Sequence, residues 1–212
     1  MKLSIFTPCH DAKYLNDLWK SLQAQTYKDF EWIILLNNGA TYISPAPNVK
    51  VVTSAITGNI GALKKEACGH ATGAILVEVD SDDIITPNCL EEVAKAFEDP
   101  EIGFAYSDNF KYTDNFIPYN KACGWEYSMF NWKGKDYFVM HSFTNNLPTE
   151  WSFIWYGPDH IRAFRRDVYN QVGGHDEKLE VLDDQDLFLR IYLVSKVKFI
   201  NKCLYGYRIH ND

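Results

Sequence analysis

Several kinds of segment are missing from this chain, and each absence removes a class of function. No stretch approaches the roughly 18–20 apolar residues of a membrane span, which leaves only peripheral membrane contact open. No basic run is long enough to track a nucleic-acid backbone, and the formal charge of -7 opposes one, so nucleic acid is not an expected partner. The segment Thr7-Pro8-Cys9-His10-Asp11 after the first apolar run carries no G-x-G-x-x-G, and no G-x-x-x-x-G-K-[ST] occurs anywhere. A dinucleotide-binding dehydrogenase and a P-loop enzyme are thereby excluded. The Gly- and Arg-rich loop that a sugar nucleotidyltransferase needs after its first strand is also absent. Cysteine is sparse: Cys9, Cys68, Cys89, Cys123 and Cys203 are odd in number, widely spaced and never C-x-x-C. That pattern predicts reduced thiols and a cytoplasmic location rather than a disulfide framework. The apolar run after Met1 is too short for a signal peptide, in keeping with that location.

What the 212 residues do hold is a composition 46% hydrophobic and 15% aromatic, enough for one domain with a substantial core. The first half alternates strand and helix signals, the pattern of an α/β domain with a mostly parallel sheet. Strands are predicted at Leu3 to Thr7 (stopped by Pro8), Phe30 to Leu36, Val49 to Thr53, Ala74 to Val79 and Phe104 to Ser107. Helices are predicted from Asp11 or Asn16 to Ala24, from Gly61 to Ala71, after Pro87, and from Asp183 to Val194. Lys198 to Ile209 reads as closing strands. Residues 108–158 are rich in aromatics without clean periodicity and read as an irregular insertion. Its rings serve either as packing or as a platform for sugar faces.

The densest chemical signal is Ile75-Leu76-Val77-Glu78-Val79-Asp80-Ser81-Asp82-Asp83. A buried strand that ends in three carboxylates is costly unless a cation sits among the charges, and hard ions such as Mg2+ or Mn2+ prefer carboxylate oxygen. At the carboxyl edge of a parallel sheet this pattern points to a metal holding a phosphorylated ligand. The alternative is a solvated acidic turn leading into the next helix. A second acidic cluster, Asp183-Asp184-Gln185-Asp186, precedes a helical pattern, where one residue suffices as N-cap.

Four features occur in register: Thr7-Pro8-Cys9-His10-Asp11; Asn37-Asn38-Gly39; Asn59-Ile60-Gly61 with Lys64, running on to Asp80-Ser81-Asp82-Asp83; and Val172-Gly173-Gly174 followed by Asp183-Asp184 and Arg190. In this order the chain resembles family 2 glycosyltransferases from about Leu3 to His210. The resemblance implies a GT-A (Rossmann-like) α/β/α sandwich, with residues 1–107 as the nucleotide-sugar half and 108–212 as the acceptor and catalytic half. It implies a nucleoside diphosphate sugar as donor, a saccharide or glycolipid as acceptor, and Mn2+ or Mg2+ as cofactor.

By the same resemblance, Pro8, Cys9 and Asp11 border the nucleoside, and Asp80-Ser81-Asp82 is the DXD motif. Asp82 binds the metal, Asp80 lies nearer the ribose or a metal-bound water, and His210 completes the metal shell. Lys64 meets a phosphate or the nucleobase; an ordinary solvated helix lysine is its alternative. Asp184 is the general base of an inverting displacement. Trp151, Trp155 and His160 are acceptor-side candidates, and His160, Arg162, Arg165 and Arg166 together read as a surface ion-pair network, with contact to the donor diphosphate or an acidic acceptor as the alternative. The chain departs from the family at Asn37 and Asn38, where many relatives carry acidic residues toward the nucleobase. It also lacks the Q-x-x-R-W of processive polymerases, which favours transfer of one sugar per encounter. A donor-binding module without transfer is the rival from another class.

Overall fold

The structure, a computed structural model, describes residues 1–118, 127–140 and 157–210; Trp151 and Trp155 lie outside the described residues. The chain begins with β1 (Leu3–Cys9), α1 (Leu15–Gln23), β2 (Phe30–Leu36), β3 (Val49–Thr53), α2 (Ile60–Gly69) and β4 (Ile75–Glu78). Then come β5 (Ile84–Ile85), α3 (Cys89–Ala96), β6 (Ile102–Thr113), β7 (Ile117–Pro118), β8 (Tyr127–Trp132) and β9 (Lys135–Met140). It closes with β10 (Arg162–Arg165), α4 (Arg166–Gln171), α5 (Asp183–Tyr192) and β11 (Lys196–Arg208).

The sheet runs in the order β3-β2-β1-β4-β10-β6-β11-β5. Parallel pairs β3/β2, β2/β1, β1/β4 and β6/β11 form its body, and β10 is the antiparallel strand between β4 and β6. Alternation along each strand sends side chains to two helical layers. Leu3, Ile5, Trp32, Ile34, Ile75 and Val77 pack under Leu15, Leu18 and Leu22 of α1 and Leu90 and Val93 of α3. Phe6, Leu35, Leu76, Phe104 and Phe164 face Leu63 and Ala67 of α2 and Leu187, Phe188 and Ile191 of α5. Each such side chain, fully buried, stabilises by roughly 1.5–3 kcal/mol, so the two stripes fix the layers more firmly than helix propensity does. Glu78 shares a strand and a face with Leu76, which delivers a carboxylate to the α2/α5 side of the sheet.

Two sequence expectations are corrected. Strand β1 passes through Pro8 to Cys9, because β4 pairs only as far as Phe6; at Pro8 only β2 flanks the strand, and a missing N–H is tolerated. The start of the aromatic insertion is regular: β6 continues to Thr113, and β8 and β9 form an antiparallel hairpin against it. Phe110, Tyr112, Tyr137, Val139 and Ile84 make a third core beneath that hairpin. Strand β6 is buried along nearly its whole length and shows no apolar–polar alternation, and the hairpin strands mix polar and aromatic residues without a strict period of two, which is why this part reads as irregular. Among the described residues the cysteines are free, and no helix is long and apolar enough to cross a membrane.

Candidate active site

The carboxyl ends of β1, β2 and β4 finish side by side, with Cys9 opposite Leu36 and the Val79 N–H donating to the Phe6 carbonyl at 3.2 Å. Ligands of open α/β sheets bind outside such an edge. Half-buried Pro8 and buried Cys9 form one wall, with Asn37, 4% exposed, beside them. The Asn37 N–H donates to the Cys9 carbonyl at 3.0 Å. Asn38 and Gly39, at φ 51° and 80°, turn the chain away and leave Asn38 exposed. Asp11 caps the turn Ala12–Tyr14 by accepting from the Lys13 N–H at 2.9 Å. Burial pushes the Cys9 thiol up to about 11, so it lines this wall uncharged.

Beyond β4 the acidic loop is held from below. Asp83 is buried and accepts from the Tyr205 hydroxyl and from the Arg208 N–H, each at 2.6 Å. Burial, with Asp80 and Asp82 close by, raises its pKa well above the usual carboxylate range. The Asp80 N–H donates to the Tyr205 hydroxyl at 3.1 Å, and Ser81 is buried next to Cys9. Asp82 stays about one-third exposed, and its Oδ2 lies 2.7 Å from Nε2 of His210, two residues past the strand that pins Asp83. His210 is thus joined to the acidic loop by this contact.

Lys64 is not a solvated lysine. It is 7% exposed, with Nζ 2.9 Å from Glu78 and 3.6 Å from Asp183. Burial works against its charge, and the two carboxylates outweigh burial, so its pKa is raised. Glu78, fully buried, is affected inversely: burial pushes it up, while Lys64, then Arg162 and His160, hold it far down. Arg162 stacks over the Phe188 ring and places Nη1 2.9 Å from Asp184 Oδ2 and 3.7 Å from Glu78. His160 is 7% exposed, stacks on Tyr205, and has Nε2 3.5 Å from Asp80 and 4.0 Å from Glu78. Its place is beside Asp80, at the donor edge.

The basic patch before the Gly-Gly turn is thus no surface network. Arg165 donates to the carbonyls of Phe97, Asp99 and Ile102, and Arg166 to that of Ala71, so both fasten backbone. The second acidic cluster is also rearranged relative to a capping role. Leu182, at φ 63°, occupies the cap of α5 without a side-chain bond, and Asp183 is buried inside the helix start. Asp183 faces Lys64 and, at 3.8 Å, Nε2 of fully buried His175; burial raises its pKa. Asp184 remains 24% exposed.

Two sets of residues are suited to a divalent cation. Glu78, Asp80 and His160 bring one ligand atom each within 4.8 Å of one another. In that set Lys64 and Arg162 already stand against Glu78 and repel a second cation. Asp82 and His210 offer a carboxylate and an imidazole, donor types that suit Mn2+. The 2.7 Å between Nε2 of His210 and Oδ2 of Asp82 is a hydrogen-bond contact, which an ion held by both would replace. The residues present fit the ion at this second set.

Sequence reasoning missed Glu78, Arg162 as the partner of Asp184, and Arg208. The signal for Glu78 is a lone carboxylate inside an otherwise apolar strand, and for Arg162 a cation within a β-strand that pairs with it.

The fold is shared with known proteins. A crystal structure of residues 1-349 of S. aureus TarS in complex with UDP superposes with a TM-score of 0.70 at 20% identity, covering 99% of this chain and 61% of that one. Mannosyltransferase PcManGT from Pyrobaculum calidifontis, in complex with GDP-Man and Mn2+, gives 0.68 at 16% identity over 99% of this chain and 57% of that one. In sequence, a chondroitin synthase of Pasteurella multocida (strain Pm70) is 26% identical over 221 residues, and the match spans 99% of this chain but 21% of that protein. The model of the glycosyl transferase family 2 matches residues 4–173, a span that includes the acidic loop and stops before Asp184. The mixed sheet and its two helical layers are the GT-A fold, and the chain belongs to glycosyl transferase family 2.

Proposed function

We propose that this glycosyltransferase moves one sugar from a nucleoside diphosphate sugar to an acceptor hydroxyl by metal-dependent inverting displacement, with Asp184 as general base. One observation carries the reading: a continuous run of contacts, Asp80–His160–Glu78–Arg162–Asp184, joins the acidic loop to the partly exposed carboxylate of α5. A donor site and a base are thereby held at a fixed separation on two elements distant in sequence. Residues 1–107 supply the donor side, through Pro8, Cys9, Asp11, Asn37, Asn38, Asp80 and Ser81. Residues 108–212 supply the base and the acceptor side.

Asp82 and His210 are the residues that would hold Mn2+ or Mg2+. A bound ion supplies Lewis-acid stabilisation of the diphosphate leaving group. Asp184 takes the proton of the attacking hydroxyl, opposite the departing diphosphate. Arg162 holds Oδ2 of that carboxylate and the Gln185 N–H donates to Oδ1, so both oxygens are fixed in direction while the group stays partly exposed. Asn37 stands where the nucleobase edge is read, and an amide there both donates and accepts.

Asp184→Asn tests the assignment: donor binding is retained, and turnover falls about 100-fold or more, the scale of a positioned general base. An Asp184→Asn chain that transfers as fast as the parent overturns the role. A parent chain that binds donor and never transfers identifies a binding module instead.

A further inference from the structure

Arg208 is the most heavily engaged cation among the described residues outside the Glu78 network, and the mechanism above leaves it unused. It is 3% exposed at the end of β11. Its Nε donates to the Asp82 carbonyl at 2.7 Å, and its own N–H donates to Asp83 at 2.6 Å. Nη1 donates to Asp114 at 3.1 Å and Nη2 to Asp17 at 3.3 Å. The guanidinium lies 4.0 Å from the Tyr14 ring centroid and 4.9 Å from that of Tyr112. Tyr14 in turn donates to Asp114 and packs its ring 5.6 Å from that of His210.

Four segments therefore converge on one side chain: the acidic loop, the end of β11 that leads to His210, the start of α1, and the corner between β6 and β7. We infer that Arg208 is a positioning residue for the metal site, setting Asp82 and His210 against each other before an ion arrives, and that Asp114 extends this hold to the acceptor half. The inference rests on the assignment of Asp82 and His210 as metal ligands. The physical case is geometric. A planar fork bound to a carbonyl and two carboxylates, and stacked between rings, fixes the peptide of Asp82 in a way a lysine cannot reproduce. Such outer contacts set metal affinity through ligand orientation.

The test titrates the protein with Mn2+ alone, following free Mn2+ by electron paramagnetic resonance, in parallel with thermal melts. Arg208→Lys keeps the charge and loses the fork; its Mn2+ affinity is expected to fall about 10–100-fold. Asp114→Asn removes charge at a side chain more than half exposed, so the melt is unchanged while affinity falls about 2–10-fold. Turnover at saturating Mn2+ then returns toward the parent value in both variants, which a purely structural defect does not allow. Should Arg208→Lys fail to fold, the Asp114→Asn affinity decides. Mn2+ binding equal to the parent in a folded variant overturns the positioning role. A parent chain that binds no Mn2+ overturns the metal assignment beneath it.

Discussion

Replacing Lys64 by Met is the sharpest perturbation of the buried network, because it removes charge and keeps most of the volume. The ammonium lies 2.9 Å from a carboxylate with no solvent exposure and 3.6 Å from Asp183, also buried. At an effective dielectric of about 20, a unit pair near 4 Å is worth about 4 kcal/mol, and removing one member of a buried pair costs about 3–5 kcal/mol. Arg162 remains 3.7 Å from Glu78, which places the expected loss near the lower end, about 3 kcal/mol. For a chain of this size each kcal/mol is about 2–4 °C, so Tm should fall by roughly 6–12 °C in a reversible melt. Adding Glu78→Gln removes the stranded charge, and the double variant should regain more than half of the loss. Native Glu78 stays ionised well below the usual range, so its stabilisation is present above its unfolded pKa of about 4.3 and is lost only as pH falls through the depressed native value. A Lys64→Met chain within about 1 kcal/mol of the parent, the value of an exposed pair, refutes the reasoning.

His175 gives a pH-dependent outcome. Burial lowers its pKa to about 3, so between that value and about 6.5 the unfolded chain binds a proton that the native chain refuses, and stability falls as pH is lowered through this window. Urea midpoints of the parent and His175→Gln should therefore converge from pH 7 to pH 4; a constant difference across that range contradicts a buried neutral imidazole. Gly174 sits at φ 69°, where an added Cβ would lie 2.7 Å from the ring of Tyr169, the partner of His175 at 2.8 Å. Gly174→Ala should cost about 2–5 kcal/mol in a denaturant titration, from left-handed backbone plus overpacking, and a loss under 1 kcal/mol contradicts the packing described.

How far the sequence could be read follows from what each signal depends on. Strands β2 and β3 appear over the very residues predicted, because apolar runs bounded by Asn, Gly and Pro carry both their identity and their ends. The strand-to-carboxylate transition at Glu78–Asp83 was visible for the same reason: desolvation and repulsion make it improbable without a purpose. The hairpin over Tyr127–Met140 was invisible, since Ser128-Met129-Phe130-Asn131-Trp132 and Lys135-Asp136-Tyr137-Phe138-Val139 keep no strict apolar–polar alternation, and β9 takes its place in the sheet by pairing with distant β6. Lys64, His160 and Arg162 were seen as charges but given the wrong surroundings. Whether a cation is solvated or buried is decided by what the sheet order brings opposite it, and β10 enters between β4 and β6 from far along the chain. Arg208 escaped notice altogether, because its partners Asp17, Asp82 and Asp114 lie 94 to 191 residues away.

A thermal-shift comparison of UDP-, GDP- and CMP-sugars and their free nucleotides, each with and without Mn2+, tests the central claim most directly. A ligand at 100 times its Kd adds about 2.7 kcal/mol to the native state, a shift of about 5–11 °C here. The account predicts that one nucleotide class raises Tm only with Mn2+, and that Asp82→Ala abolishes the increment. No shift with any nucleotide, with or without the metal, would contradict it.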